Sequence, residues 1–387
     1  MKGHIRERSP GDWAIVIDLH NPETGKRRRK WHSFRGTKRK AQVKCSELIA
    51  AIKGETYVDP SRQTVGQYLD KWLTYMASQI SPRSHERYTE IVKKNLAPVL
   101  GAVCLTKLRS RHIAEAYTKA LANGRRDGKG GLSASTVVYM HRVLKQALAQ
   151  AVAWRELVRN EAGAVKPPKV ERKQMNVLDT NATAALIEAA RDTTLFVPIL
   201  LGVTTGMRRG EVVALRWRHV DLDKGQISVE ESAEQTKTGI RYKPPKSGKG
   251  RTVALPKSVV DELRNHRIRQ AEALLKLGTR LSEDAFVIAQ ADGNPLQPRS
   301  LTHAFELFLA KHKLPRVRLH DLRHSHATAM LKNKVHPKVV QERLGHSTIA
   351  ITMDIYSHVL EGMQEDAAET VDAALQAALI KRRKEIG

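Results

Sequence analysis

Cysteine is nearly absent from this chain: Cys45 and Cys104 are the two thiols in 387 residues. Two isolated cysteines neither staple a fold of this length nor build a cysteine-type zinc site, so they read as ordinary buried or half-buried side chains in a reducing cytoplasm. No run of 18 apolar residues occurs, and no secretory leader or cysteine-rich lipidation tail is visible, so no membrane partner is expected. Acidic residues are scarce as well. Asp and Glu number 40 against 67 Lys and Arg, a formal net charge of +27 that far exceeds what solubility requires. Such an excess predicts strong, salt-dependent attraction to a polyanion, of which nucleic acid is the simplest. Neither an internal repeat nor a long low-complexity tract emerges, and the length suffices for a sizeable core divided among two or three domains.

The shortage of acid is most extreme between Lys26 and Lys44, where none occurs. Trp13–Leu19 and Arg28–Phe34 are strand candidates separated by the turn residues Pro22–Gly25, and a helix is expected from about Thr37 to Ile52. Alternation along the second strand sets Lys26, Arg28 and Lys30 on one face and Arg27, Arg29 and Trp31 on the other, without deciding which is open. Together with Lys38, Arg39 and Lys40 these cations are candidate DNA contacts, against the plainer reading of a merely basic surface.

After Pro60-Ser61 a helical module is expected, with Val65, Tyr68, Leu69, Trp72 and Leu73 at helical spacing. A second helix, Ser84–Leu96, presents Arg87, Lys93 and Lys94 outward, and the loop Asn123–Gly131 carries Arg125 and Arg126. A helix over Ser133–Ala151 follows, then the Pro-rich, charged linker Val165–Lys173.

The last half of the chain carries the chemistry. Arg208 in TTGMRRGE, His320 and Arg323 in LHDLRHSH, and His346 and Tyr356 in ERLGHSTIAITMDIYSH are residue types that suit phosphoryl transfer. Arginines grip phosphate, histidines handle protons and bond oxygen, and a tyrosine attacks phosphorus. Glu211, one turn from Arg208, can hold that guanidinium in place; an ordinary surface ion pair is the alternative. Strands are expected at Gln226–Glu231, Tyr242–Pro245 and Arg251–Leu255, with Ser247–Gly250 as a tight hairpin turn. That hairpin would place Lys246 at its base and Lys249 at its tip, with Arg251 on the same basic edge as a further DNA contact. His320 and His324 are four apart, as in a zinc helix, but the glutamate of HExxH is missing and Arg323 would sit beside the cation, so no metal and no cofactor is expected.

With these residues in view, the stretch from about 175 to 360 resembles the catalytic domain of tyrosine recombinases of the phage integrase type, in TGMRRGE, HDLRHSHAT, LGHS and YSHV, taken in order. The resemblance implies catalytic roles for Arg208, Lys246, His320, Arg323, His346 and Tyr356, with Glu211 in support; Lys249 or Lys237 stay open for the lysine role. It also implies a multidomain fold. A small N-terminal three-stranded sheet plus helix (1–60) would bind arm-type DNA sites, as in heterobivalent integrases, and an all-helical domain (64–165) would bind core DNA. A mainly helical α+β catalytic domain with a small antiparallel sheet and a tail helix (175–387) would complete the chain.

The implied activity is site-specific DNA recombination through a 3′-phosphotyrosyl intermediate on double-stranded attachment sites. The implied setting is a homotetramer on DNA in the cytoplasm of a bacterial host, with DNA-bending and directionality accessory proteins. By chemistry alone the alternatives are a type IB topoisomerase-like nicking-closing enzyme or a non-enzymatic architectural DNA-binding protein. The second would account for the charge but leave the Arg, His and Tyr motifs without a purpose.

Overall fold

A computed structural model describes residues 2–20, 27–54, 57–58, 61–171, 176–245, 248–356 and 363–386; at 2, 19–20, 27–28, 354–356, 363–367, 370 and 384–386 it describes the backbone alone. The chain divides into two compact units, Met1–Arg172 and Lys173–Gly387.

The first unit contains two separate apolar cores. Strands β1 (Lys2–Ser9), β2 (Asp12–His20) and β3 (Arg27–Arg35) form an antiparallel sheet in sequence order, backed by α1 (Lys38–Lys53), whose N-terminus is capped by Thr37. Ile15, Ile17, Phe34 and Cys45 pack between sheet and helix. The second core lies among α2 (Val65–Met76), α3 (Pro82–Ile91), the one-turn α4 (Ala97–Leu100), α5 (Ser110–Asn123) and α6 (Ala134–Ala153). Local signals set these helices: a Thr64/Gln67 capping box opens α2, Ser81 followed by Pro82 opens α3, and Ser133 opens α6. The expected helix Ser84–Leu96 forms without a gap, but Val92–Leu96 widens into a π turn before Pro98. Trp72 is fully buried and stacks on Tyr88 at 5.7 Å, and the Tyr68 hydroxyl donates to the Ala147 carbonyl at 2.6 Å.

The second unit is built around α8 (Phe196–Thr205), in which nearly every residue is buried, as a helix apolar on all sides must be. It follows α7 (Thr180–Ala190), whose N-terminus is capped by the Asp179 side chain. Next come α9 (Arg209–Ala214) and the antiparallel strands β4 (Val220–Asp221), β5 (Gln226–Val229), β6 (Ser232–Thr236), β7 (Gly239–Lys243) and β8 (Arg251–Ala254). The helices α10 (Lys257–Lys276), α11 (Pro298–Lys311), α12 (Asp321–Lys332), α13 (Pro337–Leu344), α14 (Ile349–Tyr356) and α15 (Met363–Ile386) complete it. Helix α12 packs closely on α8 because Gly202 leaves room: a Cβ there would stand 3.2 Å from Leu322.

The strand pairing corrects the sequence expectation. The strand around Tyr242 pairs with Ser232–Thr236 across the connection Lys237–Thr238, and Arg251–Ala254 pairs instead with Gln226–Val229, in the order β4-β5-β8. Pro244 and Pro245 account for this, since neither donates a ladder hydrogen bond and β7 stops at Lys243. Residues 244–245 and 248–250 therefore lie on the connection between two sheets. Lys237 lies at a hairpin tip, Lys249 lies in that connection, and Lys246 falls outside the described residues.

Candidate active site and nucleic-acid surfaces

The end of α13 organises the site. Gly345 adopts φ 65°, the left-handed conformation that suits glycine, and the Gly345 and His346 amides donate back to the Glu342 and Gln341 carbonyls. A helix terminus leaves its last carbonyls unpaired and carries partial negative charge. Here the next three carbonyls each receive a guanidinium from a different element. Arg251 Nε donates to Arg343 O at 2.8 Å, Arg323 Nη2 to Leu344 O at 2.7 Å, and Arg208 Nη2 to Gly345 O at 3.1 Å. Arg323 is 2% exposed and spans to a second corner, donating from Nη1 to Gly206 O at 2.7 Å. Gly206 is also left-handed, at φ 66°, and a Cβ on it would collide with Leu344 and His326.

Glu211 is buried beneath this cluster. Its Oε1 accepts from Arg208 Nη1 at 2.8 Å and Arg251 Nη1 at 3.1 Å; its Oε2 accepts from the Arg208 amide at 2.9 Å and Arg251 Nη2 at 2.7 Å. Burial pushes this carboxyl up, but the Arg251 bonds and the charges of Arg251 and Arg208 overcome it and hold the group below the usual carboxylate range. Arg208 is the more open of the two arginines, with 23% of its side chain exposed against 8% for Arg251. Arg251 thus points inward, and the expectation that it adds to a basic DNA-facing edge is corrected. The cause is strand register: Arg251 alternates with Val253, a core residue, so both lie on the inner side of β8.

His320 stands directly before α12, and its ring meets that of His324 edge to face at 5.1 Å. His346 is held at the α13 corner: its carbonyl accepts from Gln341 Nε2 at 2.7 Å, and its Nδ1 lies 2.9 Å from the hydroxyl of the buried Thr352. Burial, then the neighbouring charges, push both imidazoles down to about 4, with Arg208 and Arg323 among the causes for each. The fold therefore brings Arg208, His320, Arg323 and His346 into one electrostatic neighbourhood. Tyr356 ends α14, one turn beyond Thr352; its side chain lies outside the described residues. Thr352 was not singled out by sequence, although its place four residues before the tyrosine was a usable signal.

A second pair supports the corner: His326, which sequence offers only as a rejected metal-ligand candidate beside His320, Asp321 and His324, and Arg343, which sequence does not single out. His326 Nδ1 bonds the Val203 carbonyl at 2.9 Å and its Nε2 lies 3.0 Å from Arg343 Nε. A carbonyl only accepts and a guanidinium only donates, so the ring is neutral with its proton on Nδ1. Burial and then Arg343 hold this imidazole at about 4.

These three histidines predict acid sensitivity of the DNA-free protein. In the unfolded chain they bind protons near pH 6.5, in the fold near 4, so between those values the unfolded state holds more protons and stability rises with pH. Their contribution is complete above about pH 6.5 and is lost as pH falls toward 4. The thermal unfolding midpoint, measured at ~0.15 M salt to screen the general charge, should climb from pH 4.5 to 6.5 and then level off. A flat midpoint across that window would contradict the arrangement. The lowered carboxyls of Glu211 and Asp321 act below it.

The other candidate DNA contacts lie in the first unit. On β3 the side chains of Arg29, Trp31, Ser33 and Arg35 are exposed, with Trp31 53% so, while Lys30 turns toward the α1 side over the Tyr57 ring at 4.3 Å. The open face is thus that of Arg29 and Trp31; Lys26 and the side chains of Arg27 and Arg28 fall outside the described residues. Lys38, Arg39 and Lys40 form the exposed first turn of α1, where the helix dipole disfavours cations unless an anion is near. Arg87, Lys94, Arg125 and Arg126 line one open groove of about 440 Å³. Arg87 and Lys94 both pair with Glu90, and Arg125 with Asp127; Lys93 leaves the groove to pair with Asp70. Surface pairs of this kind are worth at most about 1 kcal/mol, so a phosphate can displace the acid.

Comparison with known proteins converges on one group. The model of the phage integrase family matches residues 171–363, and that of the phage integrase N-terminal SAM-like domain matches residues 64–121. A "tyrosine recombinase XerC-like" protein of Caldanaerobacter subterraneus subsp. tengcongensis is 27% identical over 387 aligned residues, covering 93% of this chain and 95% of that protein. Among solved structures, the Tn1549 transposon integrase in complex with transposon right end DNA matches with a TM-score of 0.68 at 17% identity, over 80% of this chain and 99% of its own. A lambda integrase tetramer bound to a Holliday junction matches with a TM-score of 0.54 at 20% identity, over 89% and 95%. At those identities the two structural likenesses are likenesses of fold.

Proposed function

The chain belongs to the phage integrase family, the tyrosine recombinases, and from that premise we propose that Tyr356 is the nucleophile of its site-specific DNA recombination, served by Arg208, Lys246, His320, Arg323 and His346. The observation that carries the assignment is the convergence of Arg208 and Arg323 on adjacent carbonyls at the α13 corner, next to His346 and within electrostatic reach of His320.

Arg208 and Arg323 take the non-bridging oxygens of the scissile phosphate and stabilise the charge of the pentavalent transition state. The Tyr356 oxygen forms a bond to phosphorus as the bond to the 5′ oxygen breaks, leaving a 3′-phosphotyrosyl link and a free 5′ hydroxyl. His320, neutral near pH 7, receives the phenolic proton, and Lys246 supplies one to the leaving oxygen. In the tautomer that holds its proton on Nε2 for a phosphate oxygen, His346 accepts at Nδ1 from the Thr352 hydroxyl 2.9 Å away. Because the covalent link conserves the phosphodiester energy, a second DNA hydroxyl reverses the step without ATP.

The direct test incubates the purified chain with labelled attachment-site duplexes and isolates protein-linked strands on denaturing gels. A 3′-linked adduct should form in excess EDTA, since the arginines, lysine and histidines supply the charge and proton transfer that metals provide in two-metal nucleases. Loss in EDTA with recovery on added magnesium would move the assignment to a metal mechanism. Adducts without joined products would favour a nicking-closing enzyme.

The DNA partner engages three regions in this reading: 1–60 binds arm-type sites, 64–165 binds core DNA, and 175–387 performs the chemistry. The open Arg29 and Trp31 face and the cationic first turn of α1 support the first role, and the groove lined by Arg87, Lys94, Arg125 and Arg126 supports the second. Removing residues 1–60 should erase one class of footprint and impair joining of full sites while core binding and the Tyr356 adduct persist. Footprints that differ only in overall affinity across a salt series would reduce the segment to a nonspecific basic clamp.

The working assembly is a homotetramer on two DNA sites in a bacterial cytoplasm, following the lambda integrase tetramer, with DNA-bending and directionality proteins as accessories. Among the described residues no helix is long and apolar enough to cross a membrane. Mass measurement of joined complexes should give four protomers, and recombination by the purified chain at the rate of a bacterial extract would remove the accessories.

A further inference from the structure

Arg251 is an unusual residue to find at the base of this site. Its side chain is 8% exposed, and its hydrogen bonds go inward, two to Glu211 and one to the Arg343 carbonyl. We propose that Arg251 is a positioning residue of the cleavage reaction, setting the plane of the Glu211 carboxylate that aims Arg208 and tying β8 to the α13 corner that carries His346. The proposal rests on the phosphoryl-transfer reading above.

Two physical points support it. A two-pronged guanidinium–carboxylate pair fixes the carboxylate's plane as well as its place, which a single bond does not. Glu211 then meets Arg208 with both oxygens already oriented, one for the Arg208 amide and one for its Nη1. The second point is charge. Glu211 with Arg208 alone would form a neutral pair, and Arg208 would attract a phosphate weakly. With Arg251 included the trio carries one positive charge beside Arg208, which has the larger exposed fraction. The carboxylate thus orients Arg208 without cancelling the pull on the DNA anion. Arg251 also closes the corner: a Cβ on Gly345 would stand 3.0 Å from Arg251 Cδ, so a larger residue there would push the Arg251 side chain aside by a few tenths of an ångström.

The conservative variant Arg251→Lys retains the charge and loses the fork. On saturating attachment-site DNA its adduct-forming rate should fall by about 100-fold, the scale at which a small misplacement acts, while the half-saturating DNA concentration stays within about threefold. Because Arg251 is proposed to act through Glu211, the double variant Arg251→Lys/Glu211→Gln should be no slower than Glu211→Gln alone. Wild type and variants are assayed below the lowest unfolding midpoint, so that loss of fold is not read as loss of rate. A variant rate within threefold of wild type, a loss confined to half-saturation, or additive effects in the double variant each overturn the proposal. Absence of a wild-type adduct would instead overturn the reading on which it rests.

Discussion

Tyr356→Phe should form no detectable DNA adduct, a loss of at least about 1,000-fold in a labelled-DNA assay, and should bind the same site within about threefold of wild type. The substitution removes one hydroxyl and leaves in place the guanidinium and imidazole groups proposed to hold the phosphate. Its backbone position at the end of α14, one turn past the Thr352 that holds His346, links the proposed nucleophile and the arginine-rich corner through a single short helix. A covalent band that persists in the phenylalanine variant would dismiss Tyr356 as nucleophile. A parallel loss of binding would show instead that the hydroxyl shapes the DNA complex.

The second large effect is expected at Glu211. This carboxylate is 1% exposed and is the shared counter-charge of two guanidinium groups, so Glu211→Ala leaves Arg208 and Arg251 facing each other without compensation. Removing one partner of a buried charged cluster costs about 3–5 kcal/mol, which for a unit of this size lowers the unfolding midpoint by on the order of 10 °C. Cleavage should fall as well, because Arg208 loses both the bond to its side chain and the bond that caps its amide. Calorimetry and single-turnover cleavage on the same preparation decide the matter. A variant with an unchanged midpoint and wild-type rate would show that the arginines find other partners, and Glu211 would lose its place in the account.

Legibility from sequence differed by kind of feature. Short motifs carried the positions of Arg208, Glu211, His320, Arg323 and His346, because each stands beside a local marker such as the glycine of LGHS or the helix start at HDL. The sheet-plus-helix, helical and mixed regions were also legible, from alternation, helical spacing and Pro or Gly breaks. What escaped was long-range. The run PPKSGKG looks like a hairpin turn in isolation, yet the strands on either side belong to different sheets, and partner choice depends on Ser232–Thr236 and Gln226–Val229. Arg251 reads as one more surface cation in a basic stretch. Its alternation with Val253 pointed inward, but the buried carboxylate that makes such an arginine tolerable lies 40 residues away in sequence. The open face of the N-terminal sheet was likewise undecidable until α1 covered the other one.

The carbonyl grip at the end of α13 has a bearing on how this enzyme can vary. Three guanidinium groups are anchored to the main chain at positions 343, 344 and 345, and every amino acid carries the same carbonyl. No side-chain replacement deletes such an acceptor, so drift at position 344 is limited by packing of Leu344 and not by the anchoring of Arg323. The anchor is therefore mutationally robust, and its vulnerability is concentrated in Gly345, whose left-handed backbone presents the carbonyls in their order and whose missing Cβ leaves room for Arg251. Diversification of this recombinase for new DNA sites can alter surrounding side chains widely while the arginines stay where they are, provided that one glycine is left alone.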